Sequence, residues 1–391
     1  MTDVCLLEPE PSTAWFPFLD SRPIAEMRAG VWLIRERWEA VARGETLAIL
    51  GPAHLTGFVE DGVPQVIPVG PVDGPAVIGR SAFAPSGVPL ELPNAPARLV
   101  NDGETVGWWV PAGGRWEPGT SVADQDEVGI DGVLLHGAYD LLTALEHLLP
   151  PDTADFTHEP GDELPEGSVL IGDPTDVVLL GAHVEPGVVF DVRAGAVVVE
   201  QHAYVRSGTR LEGPLYVGPG SEVLGGPLAR CIIGPRCKVR GEMQATVMIG
   251  YANKAHDGFV GHSVIGRWAN IGAGTTTSNL KNTYGAIRLT IEGDRIETER
   301  QFLGTLFGDH AKVAIGTFFD TGSVVGVGAN VFGPARPPKY VPPFAWGFDG
   351  ERVSRDGFVA IAERVMTRRQ VQVSGEVKAG LEQLYDYATT R

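Results

Sequence analysis

The chain has 391 residues, enough for two or more domains that each bury a hydrophobic core. Its net charge of −18 disfavours nucleic acid and anionic membrane surfaces as partners, and it means that a phosphorylated substrate needs a local basic pocket. The three cysteines favour a cytoplasmic protein without a disulfide framework, and we expect neither a membrane span nor a secretory signal.

The first 150 residues predict an α/β domain. Val4–Leu7 predicts a short strand, and apolar residues at helical spacing predict a helix over Ile24–Ala42. Glycine and proline punctuate 45–125, which predicts short strands, and a second helix is predicted over Tyr139–Leu149.

An acidic, proline-rich segment over 151–168 predicts a linker, and a different periodicity follows it. The aliphatic residues that recur at every sixth position are Val199, Val205, Leu211, Val217, Val223, Phe259, Ile265, Ile271, Phe307, Val313, Phe319, Val325 and Val331. A period of six fits a parallel β-helix, in which each hexad forms one short flat face and a turn. We therefore predict such a coil over 169–346, with binding sites on its outer faces or between neighbouring coils.

Two further segments complete the predicted architecture. The longest interruption of the hexads, 278–303, alternates around Glu292-Gly293-Asp294 and predicts a projecting hairpin. The final segment, 347–391, predicts helices that cap the open end of the coil, because an uncapped end would expose unpaired backbone groups.

The segment 250–282 is unusually rich in polar side chains. His256 precedes a break in the hexad rhythm, which predicts an outward-facing imidazole that can accept a proton from an attacking amine. Asn270 and Asn279 can orient a sugar hydroxyl or an oxyanion, although a turn of any β-helix also favours asparagine.

Nearby basic residues are candidates for binding a phosphate. Lys254, Lys281 and Arg288 carry the appropriate charge, although the last two also fit solvated positions on the hairpin. The interpretation to be tested is that these cations and the imidazole serve one site.

Several motifs resemble the bifunctional N-acetylglucosamine-1-phosphate uridyltransferase/glucosamine-1-phosphate acetyltransferase family. The string NIGAGTTTSN resembles that family's Asn-Ile-Gly-Ala-Gly-Thr run, and His256-Asp-Gly-Phe259-Val-Gly matches its histidine signature. The strings at 22–39 and 250–346 resemble a divergent bacterial branch of this family, described as sugar nucleotidyltransferases.

The resemblance implies a left-handed coil, a homotrimer and acetyl-CoA as donor. His256 would be the general base, and Asn270 and Asn279 would hold the sugar and acetyl groups. Phe259 stands in this substrate site where the family has a tyrosine. Gln244 and Leu280 replace a phosphate-binding lysine and a second tyrosine of the family.

The resemblance also implies a nucleotidyltransferase-like N-terminal domain that makes UDP-N-acetylglucosamine with Mg²⁺. Here EPEPSTAW follows the first strand, where the family has a glycine-rich, arginine-containing loop that holds a triphosphate. Arg22 and Arg28 are the nearest candidates for nucleotide binding, although residues of such a helix also form ion pairs.

Two alternatives remain open from the sequence. One is a zinc-dependent coil similar to the β-helical carbonic anhydrases, with His256, His262 and His310 as ligands. The other is a non-catalytic scaffold or sugar-nucleotide sensor that kept the shape of an enzyme.

Overall fold

A computed structural model describes residues 2–119 and 126–390. The N-terminal part is an α/β domain whose central sheet mixes parallel and antiparallel strands. In spatial order its strands are Asp126–Gly129, Ala97–Asn101, Glu104–Val110, Ala76–Arg80, Thr2–Leu7, Gly44–Gly51 and Val66–Pro68. Smaller strand pairs are Arg115–Trp116 with Val72–Asp73, Gly132–Leu134 with Phe83–Pro85, and Arg28–Ala29 with Trp32–Leu33.

The α-helices of the described residues lie in the N-terminal domain and after the coil. The α-helices are α1 (Ile34–Ala42), α2 (Leu141–Asp155), α3 (Arg355–Arg368) and α4 (Gly375–Thr390). The 3-10 helices are Thr13–Trp15, Ile24–Glu26, Ala53–Leu55, Ala138–Asp140, Phe156–His158 and Pro174–Asp176. None of the helices formed by residues 2–119 and 126–390 is both long and apolar enough to span a membrane.

The helix predicted over Ile24–Ala42 is wrong in its first half. Gly30 adopts a left-handed φ of +69°, and a Cβ there would lie 2.2 Å from both Arg37 Nη2 and Asp152 Oδ2. Only glycine fits this turn. The chain therefore forms a small strand pair around Gly30, and α1 begins only at Ile34.

The second predicted helix extends further than expected. α2 continues to Asp155 and includes Pro150 and Pro151, so the beginning of the predicted linker is helical. The domain boundaries given above stay a prediction.

From Val169 onward the chain winds into a three-sided coil of parallel strands, which confirms the predicted parallel β-helix. The first face contains Val169–Ile171, Val189–Asp191, Thr209–Glu212, Gly226–Ala229, Glu242–Gln244 and Phe259–Gly261. The second contains Val177–Leu179, Val197–Val199, Leu215–Val217, Ile232–Ile233, Val247–Met248, Val264–Ile265, Thr305–Phe307, Ser323–Val325 and Tyr340–Val341. The third contains His183–Val184, Tyr204–Val205, Glu222–Val223, Lys238–Val239, Asn253–Lys254, Asn270–Ile271, Lys312–Val313 and Asn330–Val331.

The hexad residues occupy the interior of the coil with the exception of Phe259, which is partly exposed while its neighbour Val260 takes the inward position. Val199 pairs with Val217, and Val205 pairs with Val223, so one complete turn of the coil takes three hexads. These side chains are fully buried, and the residue before each inward one points outward on the same strand. The left-handed sense of winding stays a prediction.

The predicted hairpin does not project freely. Arg288–Ile291 and Asp294–Glu297 form it, but Leu289 and Ile291 are fully buried in the hydrophobic core of the N-terminal domain. A further short parallel pair, Thr276–Thr277 with Phe318–Phe319, flanks the insertion.

The N-terminal domain packs along the second face of the coil. Outward side chains of that face, including Val198, Tyr216 and Val264, belong to the same core as residues of the central sheet and of α2. The helices α3 and α4 pack on Val327 and Phe344 near the end of the coil, as expected for a cap. This arrangement leaves the first and third faces of the coil for ligands or neighbouring chains.

Candidate functional site

His256 lies in a turn at the corner where the third face passes into the first. This histidine turn, Ala255–Gly258, joins the strands Asn253–Lys254 and Phe259–Gly261. Gly258 has φ +134°, and a Cβ there would lie 2.2 Å from the backbone oxygen of Thr275. The turn therefore requires glycine, and it directs the imidazole of His256 outward to an exposed position.

Lys254 supports this turn from inside the coil. Its side chain is 1 % exposed and takes the inward position that Val239 occupies in the preceding turn of the coil. Its Nζ donates hydrogen bonds to the backbone oxygens of His256 and Asp257, the latter at 3.0 Å. Burial lowers the pKa of Lys254 to about 8, against an opposing effect of Asp257. The structure does not support Lys254 as a phosphate ligand, because its ammonium group is buried and bonded to two backbone oxygens.

Two clefts meet at His256. The corner cleft, about 440 Å³, lies along the turns between the third and first faces, and Arg206 and Arg240 line it. The face cleft, about 510 Å³, lies between the third face and the end of α3. Because His256 and Ala255 line both, a ligand in either cleft can reach the imidazole.

Asn270 lines the face cleft beside His256. It pairs in register with Asn253, and its Oδ1 accepts a 2.6 Å hydrogen bond from Asn253 Nδ2. This contact fixes the orientation of the amide and leaves Asn270 Nδ2 to donate toward the cleft. The sequence prediction that His256 and Asn270 serve one site therefore has geometric support.

Asn279 lies elsewhere, near the corner between the first and second faces. Its Nδ2 is 2.9 Å from His262 Nδ1, and the ring of His262 stacks on Phe302 at 5.0 Å. Burial and the charges of Arg230 and Arg300 lower the pKa of His262 to about 4, which favours a neutral ring that accepts this hydrogen bond.

Phe259 lies on the first face near Asn279. A Cβ on Gly261 would lie 2.6 Å from both Phe259 Cζ and Asn279 Nδ2, so the missing side chain opens a small recess between them. Gln244, one turn of the coil earlier, pairs in register with Gly261. Within one chain, this group does not line the clefts beside His256.

Lys281 and Arg288 are not brought to His256 in the single chain. Lys281 Nζ donates to the backbone oxygen of Ala286 at 2.5 Å, and Arg288 pairs with Glu297 at 2.7 Å. Both residues thus support the hairpin segment.

The three histidines of the zinc alternative lie in different environments. His256 is exposed, His262 faces Asn279, and His310 is buried with its ring edge toward Phe358. Across residues 2–119 and 126–390, no group of three or more His, Cys, Asp or Glu side chains could hold a metal ion. The geometry does not support a zinc site built from these residues.

The two arginines proposed for nucleotide binding have structural roles. Arg22 is 2 % exposed and pairs with Asp309 at 2.7 Å and Glu60 at 2.8 Å. Arg28 lies on a short strand and donates to the backbone oxygens of Val31 and Ile249, the latter at 3.3 Å. The structure does not support Arg22 as a nucleotide ligand, since two carboxylates already surround it, and Arg28 is directed toward the coil.

A different feature marks the N-terminal domain. A cavity of about 630 Å³ opens where the parallel strands Thr2–Leu7 and Ala76–Arg80 end. Trp108 and Trp116 line it with their rings 5.4 Å apart, and the guanidinium of Arg80 lies 5.3 Å above the Trp108 ring. Ligands of α/β sheets commonly bind at the carboxyl ends of parallel strands, so this cavity is the candidate nucleotide site.

Glu8 lines this cavity and is buried. Its two carboxyl oxygens accept hydrogen bonds from the backbone N–H groups of Ile24 and Ala25, at 2.6 and 3.1 Å. Burial raises the pKa of Glu8 to about 7, although these two donors oppose the increase. The backbone donors nearest the cavity are therefore satisfied by the chain itself.

Comparisons with known proteins agree with this architecture. Residues 4–87 match the model of a family described as sugar nucleotidyl transferase. The chain is 32 % identical over 144 residues to the bifunctional sugar-1-phosphate nucleotidylyltransferase/acetyltransferase of Sulfurisphaera tokodaii, which is 35 % of either chain. The chain is similar to bifunctional sugar-1-phosphate transferases. This finding confirms the resemblance noted in the sequence.

Two relatives named bifunctional protein GlmU extend the comparison. The protein from Methanococcus aeolicus is 26 % identical over 307 residues, which are 71 % of this chain and 68 % of that one. The protein from Methanocaldococcus jannaschii is 33 % identical over 85 residues, 22 % of this chain and 21 % of that one. The chain thus spans about a third or less of the Sulfurisphaera and Methanocaldococcus relatives. The relatives are named as transferases, in agreement with the predicted enzyme class.

Sequence reasoning missed the basic residues of the face cleft. Lys238 and Lys312 share an outward column with Asn253 and Asn270, and α3 adds Arg368 and Arg369. The lysines could have been found, because each directly precedes an inward hexad residue, as Asn270 does.

Proposed function

We propose that the coil transfers an acetyl group from acetyl-CoA to the amine of a hexosamine 1-phosphate, with glucosamine 1-phosphate as the first candidate. The observation that carries this proposal is the exposed imidazole of His256 at the junction of two clefts, on a turn fixed by Lys254. A transfer between two substrates needs such a junction, since both must reach one proton acceptor.

In this reaction His256 accepts a proton from the amine as its nitrogen attacks the thioester carbon. The C–N bond forms, the C–S bond breaks, and coenzyme A leaves as a thiolate that takes up a proton. The amide of Asn270, oriented by Asn253, donates to a substrate oxygen beside the imidazole. The residues of the chain thus supply a base and an orienting donor.

A homotrimer completes the proposal. Asn279 and Phe259 lie on the other side of the histidine turn from Asn270, and one chain does not close a single site around all of them. A neighbouring coil that offers its Asn279 group, which consists of Asn279, Phe259 and His262, to the His256 clefts would do so. The first face provides a surface for such a contact, because the N-terminal domain covers the second face instead.

The test is release of coenzyme A thiol with glucosamine 1-phosphate as acceptor. We expect His256→Ala to lower kcat/KM about 10²-fold or more. His147→Ala, which changes an exposed histidine on α2, is the matched control and should retain the wild-type rate. A wild-type protein that releases no thiol with any hexosamine 1-phosphate would instead favour the non-catalytic sensor.

We further propose that the N-terminal domain binds a sugar nucleotide or a nucleoside triphosphate in the cavity beside Trp108. The match of residues 4–87 to sugar nucleotidyl transferases supports this assignment, and the two tryptophans can stack on a planar base. Mg²⁺ would be held by nucleotide phosphates together with Glu10, because both carboxyl oxygens of Glu8 already accept backbone hydrogen bonds.

The prediction for this cavity concerns pH. Glu8 is mostly neutral below its pKa of about 7 and ionised above it, so its repulsion of a triphosphate grows as pH rises. Isothermal titration with UTP at pH 6 and pH 8 should show weaker binding at pH 8. Glu8→Gln should remove most of the difference. The pH dependence that remains in this variant measures the titration of UTP itself. An equal pH dependence in both proteins would contradict this role of Glu8.

A further inference from the structure

The face cleft has an unusual charge for this protein. Among the residues that the structure describes, four basic side chains line it and no carboxylate does, although the whole chain carries 49 acidic and 31 basic residues. The basic residues are Lys238, Lys312, Arg368 and Arg369. An acidic protein that takes a phosphorylated ligand needs such a local concentration of positive charge.

The pattern of α3 explains how its arginines reach the coil. Phe358, Ala362 and Met366 are buried at spacings of four residues and fix the inner side of the helix. Arg368 and Arg369 follow at the end of α3, where the helix passes the third face. Arg369 Nη2 donates to the backbone oxygen of Arg236 at 2.6 Å, which ties this end of the helix to the coil.

The four basic residues differ in whether groups of the protein already bond to their charged ends. Lys312 Nζ donates to the backbone oxygens of Trp268 and His310 at 2.7 and 2.9 Å, and Lys238 pairs with Glu222 at 2.7 Å. Arg368 is exposed and forms no hydrogen bond or ion pair with another described residue. Its guanidinium is therefore available to a ligand.

We propose that the face cleft binds a phosphate monoester through Arg368 and Arg369, with His256 at the same cleft. A guanidinium offers paired donors that match phosphate oxygens. These arginines would compensate for Gln244, which stands where the resembling family has a phosphate-binding lysine. The identity of the ligand rests on the proposed acetyl transfer, in which both the sugar 1-phosphate and the 3′-phosphate of coenzyme A are monoesters.

Equilibrium binding without turnover tests this site. Isothermal titration compares glucosamine 1-phosphate with glucosamine, and coenzyme A with 3′-dephospho-coenzyme A. We expect Arg368→Gln to weaken binding of one phosphorylated ligand about tenfold and to leave its unphosphorylated counterpart unchanged. The pair that responds identifies the source of the phosphate.

Arg364→Gln is the matched control, because Arg364 is an exposed arginine one turn earlier on α3 that does not line the cleft. It should leave all affinities unchanged. If Arg368 serves only the end of the helix, its replacement alters the thermal midpoint but neither phosphate affinity, and this result overturns the proposal. Equal weakening by both substitutions also overturns it, since that indicates a general charge effect.

The outcome is separable from that of the proposed function. Phosphate-dependent binding in a protein that releases no thiol would support the phosphate site and contradict acetyl transfer. Normal thiol release with unchanged affinities in Arg368→Gln would do the opposite.

Discussion

At the scale of single residues, Lys254 shows how a coil interior can serve a surface site. Its aliphatic stem fills a hexad position while its ammonium group bonds to the backbone of the histidine turn. A buried charge is costly unless it is hydrogen-bonded, so the two carbonyl partners explain why lysine is tolerated here.

Replacing Lys254 should therefore disturb the position of His256, although Lys254 itself does not contact a substrate. Lys254→Met keeps the stem but leaves two backbone oxygens without their donor, and we expect a loss of about 1–3 kcal/mol in unfolding free energy. The rate of thiol release should fall about tenfold or more as the turn loses its geometry. Denaturant titration and the thiol assay measure the two effects.

Lys281→Met is the control, because Lys281 bonds to one carbonyl on the hairpin segment. This substitution should have a negligible effect on the histidine turn. A Lys254→Met protein with wild-type activity would show that the buried ammonium does not position His256.

At the scale of elements, the periodic parts of the fold were predictable and the turns were not. The hexads specify the coil because most inward residues are aliphatic and buried, as Val217 and Val325 are. The helix over Ile24–Ala42 was mispredicted because a single glycine decides the break, and its reason lies in contacts with Arg37 and Asp152. Asp152 is distant in sequence, so helical spacing alone could not reveal this constraint.

The candidate site shows the same division. His256 and Asn270 were found from the sequence, since a rhythm break and a polar residue before Ile271 are visible in the hexads. Lys254 was misassigned because its inward direction depends on register with Val239. Arg368 could not be found, because the contact between α3 and the third face is a long-range feature of packing.

At the scale of the whole molecule, the N-terminal domain and the coil share a core and a buried ion network. Arg22 bonds to Asp309 of the coil and to Glu60, and Arg267 of the coil also pairs with Glu60 at 3.2 Å. Burial disfavours the charge of Arg22, but the two carboxylates outweigh this effect and raise its pKa. We infer that the two parts unfold together.

Removing Arg22 should expose this coupling. Arg22→Met leaves the buried carboxylate of Asp309 without its cation, while Glu60 keeps Arg267, and we expect a loss of about 3–5 kcal/mol in unfolding free energy. Arg115→Met is the control, because Arg115 also lies between two carboxylates but is exposed, and it should leave the unfolding free energy nearly unchanged. Chemical denaturation would measure both changes in unfolding free energy, and calorimetry would show the number of unfolding transitions. Separate transitions for the two parts of the wild-type protein would contradict the shared core.

The central claim is that His256 of one coil and the Asn279 group of a neighbour form one acetyltransferase site. Mixing subunits of His256→Ala and Asn279→Ala tests it most directly, with thiol release as the measurement. Each variant alone should be nearly inactive. Random mixed trimers should recover up to about a quarter of wild-type activity, because that share of interfaces combines two intact sides. Verified mixed assemblies that recover no activity would contradict the claim.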